Sequence, residues 1–270
     1  MHNSWGKIFL RFTFFICVIS ICLPFAYSQD NNALKKDYRN EFLIPYYIRS
    51  AGYDNTRLKD VINKFLSVNF SSFFREQNQF ANGIFSEEYI RTRIYFDTIY
   101  KIDSSIYQVR GKVKIEDAIS YFDGKIRIAN IFFDRFTEGD ETTPNLTYLT
   151  TLISKCNFRI SSNQKPIAQL NGILQTILNL DTSTNKFSFY HGNNSDYYMN
   201  NTFVGIWKNR DLKQTEKCIW GIGLLPFEFT GDFKLNETYV TEKYLKNGWK
   251  FYGKLDKEGH YIENKDYWWK

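Results

Sequence analysis

A chain of 270 residues with 35 Lys and Arg against 29 Asp and Glu carries a net charge of +6. The excess is mild and spread along the chain, with no long Lys/Arg block, which argues against a nucleic-acid binder built on a basic stripe. At 19% aromatic the composition would suit stacking surfaces for sugars. Phe, Tyr, Ile, Asn and Lys all have A/T-rich codons, so a biased genome yields the same composition.

Residues 1–28 carry the pattern of a cleaved secretory signal: Lys7 and Arg11, an apolar run, then Ala26 and Ser28 at small-x-small spacing before Gln29. The uncharged core from Phe12 to Tyr27 falls short of the ~20 residues needed to cross a bilayer. The expectation is therefore a secreted or periplasmic protein that does not span the membrane once the signal is removed. Residues 29–52 are a polar lead-in, and 53–270 are long enough for a single β-rich domain with a real core. That domain opens with one amphipathic helix. Leu58, Val61, Ile62, Phe65 and Leu66 share a face, with Asp54 or Asn55 to cap its start.

From about residue 90 the period changes to two. Tyr107, Val109, Val113 and Ile115 alternate with Gln108, Arg110, Lys112 and Lys114, the pattern of a strand with one dry face. Glu116 to Ala118 make a turn. The alternation then resumes with Phe122, Ile126 and Ile128 inward and Asp123, Lys125 and Arg127 outward. Gly124 interrupts that strand, where a bulge or sharp bend is expected. Cys156, Phe158 and Ile160 form the next inward set, followed by Leu170, Leu174 and Leu178 around Gly172. "DTSTN" (181–185) is a turn and "HGNNSDYYMNN" (191–201) a polar loop. Further strands are predicted in "KFSFY", "TFVGIWK", "KCIWGIGLL", "FEFTGDFKL" and "WKFYGKL". "TEKYLKNG" suits a short helix ended at Asn247-Gly248. Trp268 and Trp269 are placed to lock the terminus to the core. The class is mainly β, an antiparallel barrel or sandwich with one N-terminal amphipathic helix.

Catalytic signatures are weak. His191 and His260 have no metal-ligand partner at helical or strand spacing, and no H-E-x-x-H, C-x-x-C or G-x-S-x-G occurs. Glu228 between Phe227 and Phe229 has the apolar setting that raises a carboxyl pKa, although alternation alone would turn it to water. Asp134, Glu138, Asp140 and Glu141 offer hard oxygen ligands but match no EF-hand spacing. No cofactor, metal or catalytic residue is assigned. Cys156 and Cys218 are an expected disulfide in an oxidising compartment, with two separate buried thiols as the alternative.

"FVGIWK" (203–208) resembles the opening motif of the lipocalin and fatty-acid-binding barrels. In those families the motif comes near the N-terminus, whereas here only residues 208–270 follow Trp207, too few strands for that order. The signal ending before Gln29, "VRGKVKIEDAISYFDGKIRI" and "NNTFVGIWK…KCIWG…EKYLKNGW" resemble exported β proteins of Bacteroidota. That likeness implies export and a β-barrel-like fold, and no activity. The leading expectation is a non-enzymatic binding module for a small apolar molecule or a glycan, with Trp207, Trp220 and Trp249 as contacts. The alternatives are an envelope interaction protein, using the 134–145 and 191–201 loops on a rigid barrel, and a polysaccharide hydrolase. An open interior favours the first and a self-filled interior the second.

Overall fold

The computed structural model describes residues 65–76, 81–135, 147–192, 199–211, 214–223, 225, 233–235, 239–259, 262 and 268–270. The signal segment, the lead-in and the predicted helix up to residue 64 lie outside them, as do His260, Glu228 and most of the 134–145 loop. Nine strands form one antiparallel sheet: β1 (Asn82–Phe85), β2 (Ile90–Lys101), β3 (Ile106–Ile115), β4 (Ala118–Arg135), β5 (Thr147–Ser162), β6 (Lys165–Asp181), β7 (Lys186–Phe189), β8 (Met199–Asn209) and β9 (Thr215–Gly223). β5 pairs with both β4 and β6, and β1 with both β2 and β9. The ring β1-β2-β3-β4-β5-β6-β8-β9 therefore closes into an eight-stranded barrel with no free edge. β7 and β8 pair with successive stretches of β6, so they are two pieces of one interrupted strand.

Period-two alternation sorts β3, much of β4 and the start of β6 into a dry and a wet face, whereas 174–178 of β6, 200–205 of β8 and 218–222 of β9 are buried on both faces. Ile94, Phe96, Val109, Val113, Phe122, Ile126, Phe158, Leu170, Leu174, Phe203 and Trp220 are all at most 3% exposed and belong to one core. At its centre the rings interlock. Phe203 stacks on Trp220 at 3.6 Å, Phe122 lies 5.2 Å from Phe158, and Phe96 meets Phe122 edge-on at 5.5 Å. Each such pair adds ~0.5–1.5 kcal/mol beyond the area it buries.

The glycines explain how so many rings fit. Gly111 is registered opposite Phe122, Gly124 opposite Phe158 and Gly83 opposite Trp220. A Cβ at Gly111 would sit 2.5 Å from the Phe122 ring, and one at Gly172 or Gly205 would sit 2.4 Å from the Phe203 ring. Rings folded over cross-strand glycines are a recognised device of tightly coiled sheets. The expected bulge at Gly124 is not there: the β3–β4 and β4–β5 registers run unbroken through it. The register shifts fall instead between Phe96 and Thr98, Ile128 and Asn130, Ile160 and Ser161, and Asn200 and Phe203.

One end of the barrel is closed by residues 65–76, which contain the short helix α1 (Ser71–Arg75). Phe70 and Phe74 are fully buried there. Phe74 packs edge-on against Tyr107 and Phe70 against Phe187, while the Tyr107 hydroxyl accepts from the Phe70 N–H at 3.2 Å. Lys101 donates its ammonium to the carbonyls of Leu66 and Val68. Phe65, the last residue of the predicted helical stripe to be described, is buried against Phe187.

The interruption between β7 and β8 is sutured by side chains. Asn200 replaces a missing strand neighbour: its Oδ1 accepts from the Ile177 N–H at 2.7 Å, and its Nδ2 donates to the carbonyls of Ile177 (2.8 Å) and Tyr190 (2.9 Å). Asn201, at φ 43°, donates to the Phe73 carbonyl at 2.9 Å and accepts from Thr176 Oγ1 at 2.7 Å. Thus β8 holds both the gap and the plug. Strand pairing begins at Met199, so the expected 191–201 loop is shorter at its C-terminal end.

The C-terminal part packs outside the barrel. Ile84 of β1 meets Phe233, Val240 and Trp249 in a second cluster. Residues 249–255 were expected as a strand. A 3₁₀ turn (Glu242–Tyr244) runs into a wide turn (Leu245–Trp249) instead, kinked at Asn247-Gly248 with Gly248 at φ 90°, and the chain continues in turns. Trp249 donates to the Tyr89 carbonyl at 2.7 Å, and Arg91 lies over its ring. Trp268 lies beneath Arg93, Trp269 faces Tyr95, and Lys112 Nζ donates to the Trp269 carbonyl, fixing the terminus to the outside of β2 and β3.

Three substitutions test this packing. Gly172→Ala and Gly205→Ala each force a methyl into the Phe203 ring, and a loss of about 1–3 kcal/mol in urea unfolding is expected. Asn200→Ala leaves the Ile177 N–H and C=O without their side-chain partner, with an expected loss of about 2 kcal/mol or more; a loss under 0.5 kcal/mol would show that the suture is not structural.

Candidate functional site

The three tryptophans expected as ligand contacts are not brought together. Trp220 is stacked inside the barrel, Trp207 packs edge-on against Phe85 within the same core, and Trp249 belongs to the outer cluster. The expected disulfide is not formed: Cys156 and Cys218 are free buried thiols. Their register explains why. Cys156 lies opposite Gly172, Gly172 opposite Gly205, and Gly205 opposite Cys218, so two whole strands separate thiols that a disulfide needs within ~7 Å at Cα. Burial pushes both thiols up, out of the reactive range. His191 is exposed and its ring contacts Phe189.

Two hollows of the described surface lie on the outer face. The larger, about 780 Å³, crosses β3, β4, β5, β6 and β8. Two cross-strand rows build it. Gln108, Lys125, Asn157 and Asn171 form one; Arg110, Asp123, Arg159, Gln169 and Lys208 form the next. Lys125, Asn157, Arg159, Gln169 and Lys208 line the hollow, with Asn209 and Arg210 at its β8 end. The smaller hollow, about 270 Å³, adjoins it through Asp123 and is flanked by Asp97, Arg110 and Tyr121. Gly124 lines the larger and Gly111 the smaller, so the residues that admit rings inside expose bare backbone outside.

Arg159 forks onto Asp123 with two bonds of 3.1 Å. Both side chains are solvated, so the pair adds little stability, but it fixes the guanidinium plane. Asn157 donates to Asn171 at 2.6 Å, which orders the neighbouring amides. Among the described residues no carboxylate pairs with Lys125, Lys208 or Arg210. This arrangement was hidden in the sequence because its cations are far apart along the chain. They stand on alternate wet positions of neighbouring strands, and only the register gathers them.

Several carboxylates gather at the barrel end away from α1, beside Lys217. Glu116, in the β3–β4 turn at φ 51°, has its carboxyl pushed up by burial and by Asp117 and Glu88. Glu216, paired across strands with Trp207, is pushed up by burial and by Glu88 and Glu87. Among the described residues no group of His, Cys, Asp and Glu is arranged to hold a metal.

No protein family, curated protein or solved structure matches this chain.

The raised carboxyl at Glu216 has a definite sign. Its ionised form is the disfavoured one in the fold, so its penalty grows as pH rises through the folded pKa and is absent below the unfolded value near 4.5. Glu216→Gln is expected to raise Tm at neutral pH, and a series of melts should show that gain vanish on acidification below pH 4.

Proposed function

We propose that this chain is an exported interaction protein, the reading that a self-filled interior favours, which uses its closed barrel as a rigid platform and takes its partner, a glycan, on the outer face. One observation carries the reading: the barrel interior is packed by its own aromatic side chains, with Phe203 stacked on Trp220 at 3.6 Å and the two glycines facing Phe203 too close to admit even a methyl. A lipocalin-like role needs interior room, and ligand pockets of ~300–1,000 Å³ are the norm. Here a hollow of that size lies outside, floored by ordered strands and lined by amides and cations. Strand-borne side chains hold their geometry better than loop-borne ones.

The residue pattern at 1–28 supports export. The polarity of part of the wall supports a water-facing location: the inside is apolar and the outward rows across β3, β4 and β5 are charged, the inverse of a lipid-facing barrel, while the outward row Ile84, Ile219 and Val204 is apolar and buried. A hydrolase reading has less support, since the larger hollow offers Asp123 as its sole carboxylate among the lining residues, engaged with Arg159.

Titrating the protein with palmitate while following tryptophan emission tests the reading. No saturable change is expected, whereas a panel of oligosaccharides should include members that raise Tm, and Gln169→Trp, which fills the groove, should abolish that rise. Stoichiometric palmitate uptake would contradict it.

A further inference from the structure

We propose that the outer groove recognises an acidic polysaccharide, with Lys125, Arg159, Lys208 and Arg210 holding its anionic groups; the inference rests on the outer-face reading above and names the ligand's chemistry. Three observations carry it. First, the groove concentrates cations that the fold leaves without acidic partners. Lys125, Lys208 and Arg210 have none among the described residues, and Asp123 serves only to orient Arg159. Like charges held on neighbouring strands repel. Their accumulation on one face complements an anion rather than stabilising the barrel.

Second, the cations are interleaved with carboxamides. Gln108, Asn157 and Gln169 share the lining. Each amide offers both donors and an acceptor, which matches sugar hydroxyls that also donate and accept. A cation flanked by amides suits a sugar ring bearing a carboxylate or sulfate. Adjacent strands lie ~4.8 Å apart, so the span from β4 to β8 is on the order of 14 Å, long enough for a short run of sugar rings.

Third, among the described residues the lining of the larger hollow contains no aromatic ring. Single-stranded nucleic acids are held by bases stacked on aromatic platforms along a basic groove. Here the basic groove is present without the platform, which favours an acidic glycan over a nucleic acid.

The test measures affinity of the purified protein, at low and at physiological salt, for polygalacturonate, dextran sulfate, neutral dextran and oligothymidylate. The same is done for the double variant Lys125→Gln/Lys208→Gln and for a control, Lys254→Gln/Lys257→Gln, that removes the same charge from exposed sites outside the groove. Both variants should keep the parent Tm, because all four lysines are exposed. Salt-sensitive binding of polygalacturonate or dextran sulfate is expected, weakened at least tenfold by the groove variant and less than twofold by the control. Whichever polymer binds more tightly identifies carboxylate or sulfate as the anion. Equal losses in the two variants, or groove-dependent binding of oligothymidylate as tight as that of the polysaccharides, would overturn the proposal. Binding of neutral dextran without the acidic polymers would overturn the acid chemistry and leave the outer-face reading intact. Saturable palmitate uptake with no polysaccharide binding would overturn both.

Discussion

Close approach between strands at glycine, with an aromatic ring laid over the gap, is the contact on which this barrel depends. Gly111 with Phe122, Gly124 with Phe158 and Gly83 with Trp220 are direct cross-strand pairs, and Gly172 and Gly205 together seat Phe203. Eight strands enclose a narrow interior, and side chains on every inward position would overfill it. Removing the Cβ at five places lets the sheet coil tightly and gives the rings room to interlock. The result is a core of interlocked, buried rings, with its driving force drawn from their burial. That core has consequences on both surfaces. Inside, nothing the size of a lipid has room beside Phe203 and Trp220. Outside, bare backbone at Gly111 and Gly124 contributes to the hollows where polar side chains gather.

A second constraint is the break between β7 and β8. An open break in a barrel wall would leave paired backbone groups of β6 without partners, at a cost of ~1–3 kcal/mol for each buried one. Asn200 supplies a side-chain amide that imitates a peptide group, and Asn201 extends the same strand to the plug at Phe73. The filled core, the sealed wall and the capped end form a rigid body. Such a body presents outward rows of side chains in fixed register, which is what a surface of ordered cations and amides requires.

Much of the architecture was legible in the sequence. Alternation over 107–115, 122–128, 156–160 and 170–178 correctly assigned inward residues, and the turns at 116–118 and 181–185 stand where composition put them. Register was not legible, and every misplaced expectation traces to it or to local strain. Cys156 and Cys218 look like a pair in a list of residues and have two whole strands between them in the wall. Gly124 reads as a bulge or a sharp bend; no bulge falls there, and the glycine serves close strand approach with its partner Phe158 supplying the packing that glycine lacks. Residues 249–255 have strand-like composition, yet Gly248 turns the chain sharply before them. The groove was invisible for the same reason: Lys125, Arg159 and Lys208 become neighbours only when β4, β5, β6 and β8 are aligned. The tryptophans expected as ligand contacts could not be placed from sequence: Trp207 and Trp220 lie in the barrel core and Trp249 in the outer cluster.

The central claim is that this barrel is filled and meets its ligand on the outside. The most direct measurement is a ¹H–¹⁵N correlation spectrum of the protein titrated with polygalacturonate. The account predicts shifts confined to amides along the outward rows around Lys125, Asn157, Arg159, Gln169 and Lys208, while the buried indole of Trp220 stays in place. Movement of the Trp220 and Trp207 indoles with those rows unaffected would contradict it.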